Sequence, residues 1–213
     1  MLPIISGLFV ATLIIANITS VKLIDIGPFT FDGGTIIFPL AYILGDILTE
    51  IYGIKNARQI IWTGFASLLL FSLITWAVGR IPANAEWTNQ ASYDTILGST
   101  PRIILASLIA YLAGELANAT ILMKIRKLTE GKHLWMRTLG SSVIGHALDT
   151  AIFLIVAFSG IFAIFGDTFG AIFSTDILIS MFLSNYIWKL ATEVAITPFL
   201  YPIVKWLRKK EGA

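Results

Sequence analysis

The sequence predicts an all-α membrane protein: six transmembrane helices in one bundle, a single domain over residues 1–213, with both termini cytoplasmic. Three observations carry this. Hydrophobic residues make up 56% of the chain and charged residues 13%, against roughly 45–50% and 25% in a soluble domain, and the mean hydropathy is +0.82. So little charge cannot clothe a water-exposed surface. That excludes an ordinary soluble enzyme, a disordered chain and a nucleic-acid-binding module. The second observation is a series of apolar runs near the 20 residues needed to cross a hydrocarbon core of about 30 Å. The third is the distribution of basic residues between those runs.

Taken in order, the runs are about 2–21, 35–54, 59–79, 102–123, 139–165 and 177–206. The first has no basic segment before it and no A-x-A cleavage site, so it reads as a retained span rather than a signal peptide. Between the first two, DIGPFTFDGG carries Pro and paired Gly and reads as turns. Residues 80–101 form one long polar loop. The last two runs are long enough to tilt or kink, with Pro198 the expected kink site. Cysteine is absent, so there is no disulfide framework and no thiolate site.

Orientation follows from Lys and Arg. One side collects Lys55, Arg58, Lys124, Arg126, Lys127, Lys132, Arg137, Lys205, Arg208, Lys209 and Lys210. The other holds Lys22, Arg80 and Arg102, and Lys189 lies inside a span. The excess marks the cytoplasmic side. It also accounts for the net charge of +2 without a polyanionic partner.

Ionisable residues inside a membrane are expensive and mark function by default. Seven occur here: Asp46 and Glu50 in span two, Glu115 in span four, His146 and Asp149 in span five, Lys189 and Glu193 in span six. Asn118 and Asn185 accompany them. At 1.5 Å rise per residue all seven fall roughly 17–25 Å from the outer ends of their spans, in one slab from the midplane toward the cytoplasm. Spacings of three or four residues put each pair on one helix face. A local pattern recurs in Gly45-Asp46-x-x-Thr49-Glu50, Gly114-Glu115-x-x-Asn118 and Gly145-His146-x-x-Asp149, where glycine permits close helix approach.

One reading makes these residues interhelical glue, with Lys189 pairing with Glu193 or Asp46. Charge counting opposes glue alone, because five carboxylates face one lysine and one histidine. Some must be protonated or must await donors from a ligand. Carboxylates and Asn amides among Tyr42, Tyr52, Tyr111, Tyr186 and Trp188 suit a flat, donor-rich, neutral or cationic molecule. A guanine-like edge has adjacent donors that one carboxylate accepts bidentately, and its ring stacks on aromatics. Each aromatic taken singly also serves as packing or as an interface anchor.

The stretch from Phe38 to Gly53, FPLAYILGDILTEIYG, resembles the signature of the queuosine precursor transporter family, also described as vitamin-uptake-type transporters. Gly114-Glu-Leu-Ala-Asn118, Gly145-His-Ala-Leu-Asp149 and Ser184-Asn-Tyr-Ile-Trp-Lys189 resemble its other motifs in the same order. The resemblance covers almost the whole chain and implies a fold similar to the substrate-binding subunits of energy-coupling-factor transporters. It implies an importer of 7-cyano-7-deazaguanine, its 7-aminomethyl analogue or queuine, salvaged for tRNA modification, in a bacterial or archaeal inner membrane.

The expected substrate-binding set is Asp46, Glu50, Tyr111, Glu115, Asn118, His146, Asp149, Asn185, Trp188, Lys189 and Glu193, the last from depth and face alone. Carboxylates would read the donor edge of the base, Asn118 or Asn185 with Lys189 would donate to its carbonyl, and His146–Asp149 would relay protons or bind substrate directly. No cofactor and no metal site is expected: there is no H-E-x-x-H, and His133 sits in the basic loop. The chain is expected to be a transporter rather than an enzyme. Its partners are the small-molecule substrate and the bilayer, with no nucleic acid, and a homodimer stays open beside a monomer. The alternative is a binding subunit served by a separate ATPase module, since no phosphate-binding loop is present. Gly7 and Ala11 would offer it a docking face.

Overall fold

The computed structural model describes residues 1–128, 134–159 and 173–211. Helix α1 (Leu2–Thr19) leads into a hairpin of β1 (Leu23–Ile26) and β2 (Phe29–Asp32). Then follow α2 (Gly33–Gly79), the short α3 (Gln90–Leu97), α4 (Thr100–Leu128), α5 (Leu134–Phe158) and α6 (Thr175–Glu211). Among the described residues three helical stretches are long and apolar enough to cross a membrane: Leu2–Thr19, Ile51–Gly79 and Gln90–Gly114. Gly33–Thr49 and Ser142–Phe158 are shorter apolar helices.

Two expectations need correction. The expected turns after α1 are an antiparallel hairpin, Leu23 opposite Asp32 and Ile26 opposite Phe29. The polar loop at 80–101 contains α3, whose Tyr93 hydroxyl donates to the Thr75 carbonyl at 3.0 Å and pins the short helix to the end of α2. Helix α6 runs on through Pro198, the expected kink site, and Pro202. The end of the fifth expected span, residues 160–165, lies outside the described residues, as does His133.

Helix α2 is two arms. Only Gly53 departs from helical geometry, at φ 81° and ψ 161°, a region that essentially glycine alone occupies. A Cβ placed on Gly45 would lie 3.8 Å from the Phe9 ring, and one on Gly64 3.5 Å from the same ring. Nineteen residues of straight helix span about 28 Å. Both arms therefore pack on one side chain of α1, and the chain reverses at Gly53.

Two apolar clusters hold the bundle. Ile5, Phe9 and Leu13 of α1 pack with Leu44, Leu48, Phe65 and Leu68 of both α2 arms and with Ile104 of α4. Ile103, Ala106 and Ala110 of α4 pack with Phe153, Leu154 and Ala157 of α5 and Met181 of α6. Leu69, Leu70, Leu73 and Ile74 stay exposed on the second α2 arm, a surface suited to lipid rather than water. The Arg102 guanidinium donates to the carbonyls of Val156 (2.8 Å) and Ser159. It sets a positive charge on the carbonyl end of α5, where the helix dipole favours one.

Candidate functional site

The site forms where α4, α5 and α6 meet the first arm of α2. Small residues bring α4 and α5 together: a Cβ on Gly114 would fall 2.9 Å from Asp149 Cβ and 3.2 Å from the Gly145 carbonyl. The repeated glycine-before-charge pattern thus has a physical use, at least here. It lets backbones approach closely enough for the neighbouring polar groups to face one space.

Across the α5–α6 interface two polar pairs stack one helical turn apart. Lys189 Nζ donates to Asp149 Oδ2 at 2.6 Å and to Thr150 Oγ1 at 3.1 Å. His146 Nε2 lies 2.9 Å from Glu193 Oε2, while Ser142 Oγ donates to Glu193 Oε1 at 3.0 Å. Lys189 is buried, and its ammonium also sits 5.6 Å from the centre of the Phe38 ring. Tyr42 packs beside His146 with ring centres 5.6 Å apart, and Tyr111 packs on Phe65 at 5.1 Å. A cavity of about 100 Å³ opens beside these groups, lined by Tyr42, Tyr111, Ser142, His146 and Asp149, with Gly114 and Gly145 forming part of its wall.

Of the expected residues, the structure brings Tyr111, His146, Asp149, Lys189 and Glu193 to this place. Glu193, included from depth alone, is the direct partner of His146. Lys189 takes Asp149, not the Glu193 or Asp46 that the glue reading gave it, and His146 and Asp149 each face a different partner on α6. The register between α5 and α6 decides this, because residues three apart on α5 meet residues four apart on α6.

Two further residues lie elsewhere. Asn185 is buried, and its Nδ2 donates to Asp32 Oδ2 at 2.7 Å, so that N–H serves the protein rather than a ligand carbonyl. Trp188 meets Phe31 of the hairpin edge-on at 6.1 Å and is 38% exposed, away from the cavity. Asp46 is exposed one turn along α2 from Tyr42 and makes further contacts there. The side chains of Glu50, Glu115 and Asn118 lie outside the described ones.

Sequence reasoning missed Asp32. It caps α2, accepting from Thr35 N (3.0 Å), Thr35 Oγ1 (2.7 Å), Ser20 Oγ (2.8 Å) and Asn185. The signal was present, since Asp three residues before Thr at a helix start is a capping arrangement. Ser142 was also missed, although it stands four residues before His146 on the same face.

The family described as "Putative vitamin uptake transporter" matches residues 32–203. A "Probable queuosine precursor transporter" of Bacillus subtilis (strain 168) is 29% identical over 210 residues, covering 96% of this chain and 86% of that protein. The "Queuosine precursor transporter" of Escherichia coli (strain K12) is 25% identical over 125 residues, 59% of this chain and 54% of its own length. A "Probable queuosine precursor transporter" of Haemophilus influenzae (strain ATCC 51907 / DSM 11121 / KW20 / Rd) is 26% identical over 125 residues, 59% of this chain and 51% of its own. No solved structure matches significantly. The matched residues 32–203 run from the Asp32 cap through Glu193 and so contain every site residue discussed above. Together with its apolar helices, this makes the chain a multi-pass membrane transporter that belongs to the vitamin uptake transporter family.

Proposed function

We propose that this chain imports a queuosine precursor across the bacterial inner membrane as a stand-alone secondary transporter. The substrate would be 7-cyano-7-deazaguanine, its 7-aminomethyl analogue or queuine. The observation that carries the reading is the cavity between the first arm of α2, α4 and α5, which joins carboxylate, imidazole and two tyrosines in one wall. That combination matches a flat base with adjacent N–H donors. The names of relatives covering most or about half of the chain point to the same substrate class.

In this reading the base stacks against Tyr42 and Tyr111, with Asp149 accepting from its donor edge and Lys189 holding that carboxylate in place. Asp46, Glu50, Glu115 and Asn118, from the neighbouring helices, complete the set. Asn185 and Trp188 act at one remove, by holding the hairpin to α6. The His146–Glu193 pair is the proton-carrying element. Topologically, six spans follow if α1, the two arms of α2, α4, α5 and α6 each cross once. Lys55 and Arg58 by the α2 reversal, with the basic end of α6, support a topology with both termini cytoplasmic.

Binding to the purified protein tests the substrate. Melting in detergent with queuine, either precursor, guanine or biotin is expected to shift for the deazaguanines alone. A shift for biotin alone would sink the assignment.

One observation favours the second reading, a binding subunit served by a separate ATPase module. Gly7 and Ala11 lie on an exposed face of α1, and a Cβ on Gly7 would meet nothing within 4 Å. Uptake by the purified chain alone in ATP-free proteoliposomes decides for the first reading, and strict dependence on a partner decides for the second.

A further inference from the structure

The bend of α2 carries a cluster of charge that the cavity beside α5 does not use. An open groove of about 890 Å³ lies on the first turns of the second arm, lined by Ile54, Lys55, Arg58, Gln59, Trp62 and Thr63. Spacings of three and four residues set Lys55, Arg58, Gln59 and Trp62 on one helix face. Among the described residues, Lys55 and Arg58 have no ion pair and no side-chain hydrogen bond. The described lining of the groove contains no carboxylate. Trp62 is exposed beside the two cations, and its ring is held edge-on by the buried Phe65 at 6.2 Å.

The same face continues into the apolar part of the span. Ala66, Leu69, Leu70 and Leu73 follow Trp62 at helical spacing, and all are exposed. Ile51–Gly79 is long and apolar enough to cross a membrane. Its Lys55–Arg58 end therefore lies at one membrane–water interface, where tryptophan also concentrates. From Arg58 to Leu70 is about 18 Å along the helix, against about 15 Å for half of a hydrocarbon core. One face thus presents two cations, an interfacial ring and one leaflet's length of apolar surface, in that order.

Chemistry selects the molecule with the same order of parts. A phosphodiester accepts from a guanidinium and an ammonium together, the guanidinium bidentately. Free phosphate would leave the leucines beyond Trp62 without a partner, and so would an acidic peptide at the interface. A zwitterionic headgroup would bring its own ammonium to a place that already holds two cations. We propose that this groove seats the headgroup of one anionic glycerophospholipid, its phosphate against Lys55 and Arg58 and its acyl chains along Leu69, Leu70 and Leu73. Basic pockets beside membrane helices hold such headgroups. The Gln59 amide, next to Arg58, supplies a neutral donor for the glycerol or ester oxygens. A lipid here braces the second arm just past the Gly53 reversal.

The test contains no transport substrate, so its failure and a failure of the deazaguanine reading are distinguishable. The purified full chain is melted in neutral detergent with phosphatidylglycerol, phosphatidylcholine or inorganic phosphate at equal ionic strength. Phosphatidylglycerol alone is expected to raise the apparent melting temperature, with saturation. The double variant Lys55→Gln, Arg58→Gln should weaken that dependence about 25-fold, at about fivefold for each charge at a membrane surface. The double variant Lys205→Gln, Lys209→Gln removes two exposed charges of α6 that do not line the groove, and should leave the dependence almost unchanged. Native mass spectrometry of the unmodified protein from mixed micelles, expected to retain one phosphatidylglycerol per chain, keeps the test independent of how the variants fold. Equal stabilisation by phosphatidylcholine or by inorganic phosphate overturns the assignment, as does equal loss in the two double variants or the absence of retained phosphatidylglycerol.

Discussion

Asp149 and Lys189 meet at 2.6 Å across the α5–α6 interface, with the lysine buried and the carboxylate bordering the cavity. One partner is committed to the fold and the other is open to a ligand. The lysine thereby fixes where the negative charge of the cavity lies.

Lys189→Met leaves Asp149 beside the cavity without its cation. Breaking a buried pair from one side costs about 3–5 kcal/mol, and the partial exposure of Asp149 reduces that to about 2–3 kcal/mol here. The loss is expected as a lower unfolding midpoint in detergent, with deazaguanine binding weakened more than tenfold. Asp149→Asn should remove binding with a smaller loss of stability, because Asn still offers Lys189 an acceptor.

His146→Gln retains a polar group opposite Glu193 but removes the imidazole assigned to carry the proton. Uptake by this variant, measured over a range of pH, is expected to lose its pH dependence. A variant profile that tracks the parent's would assign the proton step to another residue.

Asp32→Ala deletes four hydrogen bonds, one of them a helix cap. Thr35→Val deletes one and leaves the backbone bond in place. At about 1 kcal/mol net per bond, Thr35→Val should cost about 1 kcal/mol and Asp32→Ala at least about twice that, both read from chemical or thermal unfolding.

Gly53→Ala meets no steric neighbour within 4 Å, so any loss reports backbone strain alone. A Cβ in that conformation costs about 1–3 kcal/mol. The variant is expected to unfold earlier by that amount. An unchanged midpoint would mean that the reversal does not depend on this torsion.

Much of the helical layout is legible in the sequence because a membrane demands it: runs of about 20 apolar residues have few other uses. Pairs within a helix are legible for the same kind of reason, and Lys189 with Glu193 and His146 with Asp149 do share their faces. The partners across helices were not legible. Which residue of α5 meets which of α6 depends on how closely the backbones approach, and that is set by contacts such as Gly114 against Asp149. The hairpin escaped because Gly27-Pro28 looks like a loop, while four-residue strands carry too little alternation to stand out. Asp32 escaped as a site residue because it stands outside every apolar run, and only the fold carries it to Asn185.

The reversal at Gly53 has a further consequence for how this protein is made. Its two arms are separated by a single non-helical residue, so closing them together carries almost no loop entropy. Under the proposed six-span topology the arms would enter the bilayer as one wedge, with Lys55 and Arg58 just past the bend held back by their charge. Lengthening the bend with a flexible insert would uncouple the arms during synthesis, and misinserted chains would then appear before any change in the finished fold.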